Sequence, residues 1–386
     1  MFNILTLNKI AKIGTDRLGA NFAVADDCQN PDAVMVRSAS MHDMVLPKSL
    51  LAIARAGAGV NNIPVGKCSE EGIVVFNTPG ANANAVKELV LAGLLLSSRN
   101  IVGGIEWAKT LKGKGAEVGK LVEKGKGQFV GPEITGKTIG IIGLGAIGIL
   151  VANACNALGM KVIGYDPFLS VDSALKLSSH IKHVVSLDAV FAEADYITVH
   201  VPLNDKTKGM INTAEIAKMK DGVRILNYSR DGLVVSGDII AALQSGKISA
   251  YVTDFATDDL LCIDGVIAMP HLGASTPESE DNCAVMAADE IRDYLEQGII
   301  KNSVNFPDLS LAKTAAPRLC VFHRNKPGIL QKVLELVAQK GSNVENMESK
   351  SKGDFAYTVI DIDAKNSLAL EDVAGVADVL RVRLIG

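Results

Sequence analysis

The sequence predicts an α/β protein. A doubly wound parallel sheet is expected at its centre, with a smaller parallel α/β unit before it and a small α+β domain after it. Three observations carry this reading. An apolar run at 137–142 leads into Gly143-Leu-Gly145-Ala-Ile-Gly148, the G-x-G-x-x-G spacing that opens a nucleotide-binding βαβ unit. Short apolar runs of strand length recur on both sides of it, parted by helix-length stretches. The last 69 residues, from Arg318, follow a β-α-β-β-α-β rhythm of their own. At 386 residues the chain suits two or three domains.

Taken in order, the runs at 2–7, 33–36, 51–54 and 73–76 read as strands of a flavodoxin-like parallel unit. A long helix is expected from 85 to about 112. The lysine- and glycine-rich segment up to Gly131 reads as solvated surface or an oligomer contact. The βαβ unit then takes a buried strand at 137–142, a helix over 149–158 packed through Ala152, Ala154 and Ala157, and a strand at 161–165. That strand ends at Asp166, eighteen residues after Gly148, where a carboxylate can accept the ribose hydroxyls of a dinucleotide. Gly143 permits the tight turn, Gly145 lets backbone approach a pyrophosphate, and Gly148 lets helix and strand touch. The helix start supplies free amides and a positive dipole end. Asp166 favours NAD over NADP, because a carboxylate there repels a 2′-phosphate.

Strands at 196–199, 224–228, 250–253 and 266–269 complete a Rossmann-type sheet, which Pro270 closes. A long helix is expected over 277–297, returning to the N-terminal unit, and a linker over 302–317, with Pro307 and Pro317 near its ends. The tail reads as strand 319–322, helix 328–340, strands 344–350 and 355–362, helix 368–377 and strand 379–384, a ferredoxin-like pattern. The expected domains are 1–92 with 275–304, then 93–274, then 318–386.

Composition narrows the function classes. Hydrophobic residues make up 48% and charged residues 21%, the balance of a soluble globular chain. The longest apolar run, 89–96, is eight residues and contains a glycine, against the roughly 20 that a membrane span needs. No membrane partner is expected, and the N-terminus reads as a first strand rather than a leader, which places the protein in the cytoplasm. The net charge of −4 opposes bulk attraction to nucleic acid. Six cysteines lie far apart without a C-x-x-C pair, so neither a metal site nor a disulfide framework is expected.

Ligands of open α/β sheets bind beyond the carboxyl ends of the strands, so the polar residues there matter most. Arg230 follows one strand, Asp254 with Asp258 and Asp259 the next, and His271 the last. Moving a hydride off an alcohol carbon needs a base for the hydroxyl proton and a cation to hold a carboxylate and polarise the nascent carbonyl. His271 and Arg230 fit these tasks, and a neighbouring carboxylate would orient the imidazole and raise its pKa. Taken alone, Arg230 reads equally as a cap or ion-pair residue.

The chain resembles the D-isomer-specific 2-hydroxyacid dehydrogenases, and among them the branch acting on 3-phosphoglycerate. The resemblance rests on Arg55-Ala-Gly57-Ala-Gly59-Val60-Asn61-Asn62, Asn77-Thr-Pro79, the Gly143 motif with Asp166, His200-Val201-Pro202-Leu203, the Arg230 segment, Asp254 and Pro270-His271-Leu-Gly273-Ala-Ser-Thr276. It implies NAD as cofactor, held by Gly143, Gly145, Ala146, Ile147, Gly148 and Asp166. His200, Val201, Pro202 and Thr207 would serve it after the next strand, and Ser229, Asp254, His271 and Gly273 after the later ones. It implies that Arg230 binds the substrate carboxylate and that His271 exchanges the proton. It also implies that Arg37, Ser38 and Arg55 hold phosphate and carboxylate, helped by Gly57, Gly59 and Asn82. Residues 1–92 with 275–304 then form the substrate-binding domain and 93–274 the NAD-binding domain. A phosphate-free 2-hydroxyacid, or reduction of a 2-oxoacid such as 2-oxoglutarate, is the alternative activity; an NAD-sensing corepressor-like protein is the alternative class.

Some positions depart from the family pattern. The usual acid is a glutamate; here the spacing from Arg230 points to Asp259, with Asp258 beside it, and aspartate is one methylene shorter. Only 41 positions part Arg230 from His271. Tyr228 and Asp231 stand for smaller residues, and Lys87 either adds a cation to an anionic site or is a solvated helix residue. At the C-terminus, Leu319-Cys-Val-Phe-His323-Arg-Asn325-Lys-Pro327-Gly328 resembles the opening of an ACT regulatory domain, here 318–386. The resemblance implies L-serine as effector, contacted by His323, Asn325 and Asn343, and a homodimer or homotetramer joined through edge strands.

Overall fold

The computed structural model describes residues 1–363 and 370–386. The chain divides into two compact units, one made of Met1–Asn82 with Pro277–Gly386 and the other of Ala83–Thr276.

The first unit opens with β1 (Phe2–Leu7), β2 (Phe22–Ala25), β3 (Ala33–Val36), β4 (Ala52–Arg55) and β5 (Val74–Asn77). They form an all-parallel sheet in the order β2-β1-β3-β4-β5. This is the flavodoxin-like order, with its reversal between β1 and β3. The central strands are buried on both faces, which explains their continuous apolar runs; Ala33, Met35, Val36, Ala52, Ile53 and Ala54 are all fully covered. Strand β2 was not anticipated, because Phe22 alone of its residues is buried and the sequence shows no alternation there.

Helix Pro277–Gln297 belongs to the same unit and lays Cys283, Ala284, Ala287, Ala288, Ile291 and Leu295 onto the core. Its small residues allow close approach: a Cβ on Gly14 would stand 2.4 Å from the Ala284 carbonyl carbon. The stretch read as a linker is packed instead. Ser303 bridges Phe76, Ile300 pairs with Leu309, and Phe306 and Leu309 are buried. An apolar Phe and Leu among polar neighbours were the missed signal.

In the second unit β6 (Thr138–Ile142), β7 (Lys161–Tyr165), β8 (Lys182–His183), β9 (Tyr196–Val199), β10 (Val223–Asn227), β11 (Ile248–Thr253) and β12 (Val266–Ala268) form a parallel sheet in the order β12-β11-β10-β9-β6-β7-β8. The order reverses between β6 and β9, the switch point at which such sheets bind ligands. Two-residue β8 has no sequence signal. The long helix expected over 85–112 is two, Ala83–Ser98 and Ile101–Lys109, bent by 69°. Asn100 breaks it by accepting the Gly103 amide through its side chain, as an N-cap does. Among the described residues no single helix is long and apolar enough to cross a membrane, although this bent pair reaches that length together. The lysine-rich segment holds a short helix, Val118–Gly125, over which Trp107 packs against Phe129.

The C-terminal stretch carries β13 (Arg318–Arg324), β14 (Val344–Lys352), β15 (Phe355–Ile362) and β16 (Val379–Ile385), an antiparallel sheet in the order β14-β15-β13-β16. Alternation along β13 sorts its faces. Leu319 and Val321 pack with Val333 and Val337 of helix Ile329–Gln339, while Cys320 and Phe322 join Tyr294 and Phe306. The sheet therefore packs within the first compact unit. Arg318 anchors it fully buried, forking onto Asp361 at 2.7 and 2.9 Å and donating to the carbonyls of Gln297, Leu311 and Ala312. Residues 368 and 369 of the expected last helix lie outside the described residues; the described helix is Leu370–Ala374.

Candidate functional site

The nucleotide unit gathers its motif residues at the switch point. Gly143 (φ 96°) turns the chain, and a Cβ there would stand 2.4 Å from the His200 carbonyl oxygen. Gly148 is equally required, since a Cβ would lie 1.9 Å from the Gly143 oxygen. At Gly145 a Cβ would meet no atom within 4 Å, so backbone faces open space. No side chain caps helix Ala146–Ala157, which leaves the amides around Ala146 and Ile147 for an anion. Asp166 is fixed beside them: the Leu144 amide donates to its Oδ2 at 2.9 Å and the Phe168 amide to its Oδ1 at 2.8 Å.

The loops after the neighbouring strands are tied to this turn. The His200 amide donates to Ile142 at 2.7 Å, Ser229 Oγ donates to the Val201 carbonyl at 2.7 Å, and Thr207 Oγ1 to that of Pro202 at 2.6 Å. Burial holds His200 neutral, its pKa lowered to about 4. Its Nε2 pairs with Thr198 Oγ1 at 3.0 Å, and its Nδ1 has no partner. Asp254, 2% exposed at the end of β11, accepts the Gly273 amide at 3.0 Å through Oδ2, while Oδ1 is buried without a partner. Burial raises its pKa against the Gly273 bond and the charge of His271. An unpaired buried carboxylate oxygen is costly unless a ligand donor meets it. The open face at Gly145, the uncapped helix and this orphaned oxygen together fit a dinucleotide.

The catalytic candidates sit at strand ends of the same sheet. Asn227, 1% exposed, braces the Arg230 loop by donating to the Arg230 carbonyl at 2.9 Å and accepting the Ser229 amide at 3.2 Å. The exposed Arg230 guanidinium donates only to the Ser229 carbonyl, at 2.7 Å, and among the described residues no carboxylate pairs with it. His271 is exposed, its ring 5.0 Å from that of Phe255. Neither aspartate hydrogen-bonds to it: Asp259 Oδ1 accepts Thr257 Oγ1 at 2.5 Å, and Asp258 is exposed. Tyr228 is accommodated because residue 93 is glycine; a Cβ there would lie 2.1 Å from the tyrosine oxygen. Lys87 Nζ donates to Asn84 Oδ1 at 2.7 Å on its own helix.

In the other unit, Arg37 and Arg55 follow adjacent strands β3 and β4, and Arg55 Nε donates to the Arg37 carbonyl at 3.1 Å. Gly57 (φ 150°) lies under the Arg55 guanidinium, where a Cβ would be 1.5 Å from Nη1; the space at Gly59 is open to within 3.6 Å of Asn61. Two contributors escaped the sequence reading. Asn8, in the left-handed region at φ 70°, accepts the Ser38 and Ala39 amides at 2.9 and 2.7 Å, and Glu280 pairs with Arg37 at 2.6 Å. Asn82 lies at the end of the first stretch of this unit, just before helix Ala83–Ser98. In the C-terminal sheet His323 is buried, its Nδ1 at 2.7 Å from the Arg324 carbonyl and its Nε2 at 3.0 Å from Thr358 Oγ1. Asn325 donates to Gly353, and Asn343 is exposed. Gly328 (φ 83°) opens helix Ile329–Gln339 without a side-chain cap.

Comparisons with known proteins agree with this geometry. Residues 92–273 match the family described as D-isomer specific 2-hydroxyacid dehydrogenase, NAD binding domain, and residues 319–381 match an AHAS small subunit-like ACT domain. A D-3-phosphoglycerate dehydrogenase of Synechocystis is 34% identical over 79% of this chain and 54% of its own length. A hydroxypyruvate reductase of Thermotoga maritima is 39% identical over 69% of this chain and 85% of its own. The structure of NAD+-bound 3-phosphoglycerate dehydrogenase from Entamoeba histolytica superposes with a TM-score of 0.59 at 25% identity, covering 80% of this chain and 99% of that one. The chain spans about half the length of the first curated relatives it matches.

Proposed function

Because the chain belongs to the D-isomer-specific 2-hydroxyacid dehydrogenases and carries their NAD-binding domain together with an ACT domain, we propose that it oxidises D-3-phosphoglycerate to 3-phosphohydroxypyruvate, the entry to L-serine synthesis, in the cytoplasm and as a homo-oligomer. The observation that carries the reading is the row of strand ends in the nucleotide unit. A cradle fitted to NAD, an unpaired arginine and an exposed histidine follow β6, β10 and β12 of one sheet.

In this reading Arg230 takes the substrate carboxylate and stabilises the oxygen that becomes a carbonyl. His271 accepts the C2 hydroxyl proton in oxidation and returns it in reduction, with Asp259 as its orienting carboxylate. NAD, when bound, supplies the hydride acceptor. Asp166 would hold the adenosine ribose, Gly145 and the amides at 146 and 147 the pyrophosphate, and Asp254 Oδ1 a donor on the nicotinamide side. Arg37, Ser38 and Arg55 take the phosphate, because guanidinium forks match its oxygens. L-serine at the ACT domain is the proposed effector, with His323, Asn325 and Asn343 as its contacts. The pairing of Arg37 with Glu280 favours a second reading, a phosphate-free 2-hydroxyacid as substrate.

NADH formation from D-3-phosphoglycerate is expected, and His271→Ala should lower kcat by about 10² to 10⁴-fold with NAD affinity retained. Tight NAD binding without turnover of any 2-hydroxyacid would sink the enzyme reading.

A further inference from the structure

The phosphate subsite named above already holds an anion of the protein's own. Glu280 Oε1 lies 2.6 Å from Arg37 Nη2, the two side chains 43% and 40% exposed. Around this pair the backbone has little freedom. The Arg37 carbonyl accepts Arg55 Nε, and the next two amides are held by Asn8 Oδ1. Glu280 stands in the first turn of helix Pro277–Gln297, with buried Ser279 before it and buried Cys283 one turn on. Neither loop nor helix can swing away cheaply; the two side chains are the movable parts.

We propose that Glu280 is a specificity-determining residue of this subsite, a carboxylate that occupies Arg37 in the free protein and must be displaced by the incoming phosphate. The inference rests on the 3-phosphoglycerate reading. Its physics is mutual exclusion. A phosphate and a carboxylate cannot both sit at one guanidinium nitrogen, since like charges at contact distance repel, and both are drawn to the same cation and the same positive helix end. A doubly charged phosphate offers a bidentate match and displaces an exposed, weak ion pair. A substrate with a neutral hydroxyl at that position cannot, and leaves Glu280 in place. Glu280 therefore sets how much charge a substrate must bring to reach Arg37.

The test is a double-mutant cycle on the full chain with Arg37→Ala and Glu280→Gln, using D-3-phosphoglycerate against D-glycerate. Glu280→Gln is expected to lower KM for 3-phosphoglycerate by about two- to fivefold at unchanged kcat, the size of an exposed ion pair. KM for D-glycerate should stay within about twofold, and the gain should shrink as salt rises. In the Arg37→Ala background the same substitution should have no effect on KM, which a merely structural role of Glu280 would not produce. An equal change with and without Arg37, or a KM that rises or stays constant in Glu280→Gln, overturns the proposal. Inorganic phosphate, measured as a shift in thermal unfolding of the same four proteins, separates the two failures. If phosphate binding follows the cycle while 3-phosphoglycerate is not turned over, the activity reading falls and the role of Glu280 stands. If phosphate stabilises all four proteins equally, the role of Glu280 falls whatever the substrate.

Discussion

Among the described residues, a buried carboxylate in each compact unit has an oxygen left unpartnered, Asp254 in one and Glu290 in the other, and the two are dissimilar in meaning. Asp254 in the nucleotide unit directly follows β11, with one oxygen on the Gly273 amide. Glu290 lies in the middle of helix Pro277–Gln297 at 6% exposure; its Oε1 accepts Asn302 Nδ2 at 2.8 Å and its Oε2 has no partner. Burial raises both pKa values, that of Glu290 to about 8, where Asp308, Asp289 and Asp293 add repulsion and the Asn302 bond opposes. Arg17 and Arg292 do not relieve it, because they pair with Asp289. The pKa alone does not separate a ligand site from a structural compromise. Position does: Asp254 stands at the carboxyl end of a parallel sheet, and Glu290 stands on a helix packed into a core.

If that distinction holds, Glu290 acts on stability and not on cofactor binding. The unfolded chain gives up the Glu290 proton near its ordinary value of 4.5, whereas the folded protein keeps it to about 8. Stability from this group is thus complete below 4.5 and is lost as pH rises through 8. The unfolding free energy of the wild type, from denaturant titrations, should fall relative to Glu290→Gln by roughly 3 kcal/mol between pH 5 and 8. Parallel curves would show that Glu290 is charged at neutral pH. Its NAD affinity should stay at the wild-type value.

Asp254 sharpens the other side of the comparison. If Asp254 serves the nicotinamide side as proposed, Asp254→Asn exchanges that acceptor for a donor, so NAD affinity should fall roughly tenfold while ADP, which lacks that half, binds as before. Titration calorimetry with both ligands decides. Equal weakening of ADP would mean that the substitution has damaged the cradle itself, and the orphaned oxygen would no longer mark a ligand contact.

Much of the nucleotide unit was legible because its requirements are local in sequence. Gly143, Gly145, Gly148 and Asp166 lie within one βαβ unit, and Gly143 and Gly148 each answer to a backbone contact that no other residue allows. Arg230 and His271 were legible as strand-end residues once the strands were placed, whereas Arg37 and Arg55 were picked out by the family resemblance. What was missed depends on contacts distant in the chain. Asn8 serves the Arg37 loop from 30 positions away, and Glu280 meets Arg37 from the first turn of a helix whose acidic start reads equally as ordinary capping. The break at Asn100 and the packing of Phe306 were visible as residue types, but a long apolar run and a proline-flanked segment outweighed them.

The carboxylate that serves His271 is where sequence and geometry diverge most. Asp259 was placed there by its spacing from Arg230, yet in the structure its Oδ1 accepts Thr257 Oγ1 and the imidazole rests against Phe255. Phe255, Thr257 and Asp259 all lie in the short loop after β11. Catalytic hydrogen bonds commonly tighten only when substrate is bound. If Asp259 serves only in that state, its loss should cost less than loss of the histidine: Asp259→Asn should lower kcat about tenfold and move the acid limb of the pH profile, since a carboxylate stabilises the protonated ring. Pre-steady-state and pH-dependent rates for Asp259→Asn and Asp258→Asn separate the candidates. An unchanged profile in Asp259→Asn with a shifted one in Asp258→Asn would transfer the role to Asp258. Unchanged profiles in both would point instead to Asp254, whose carboxyl pKa is raised by burial and lowered against it by the charge of His271.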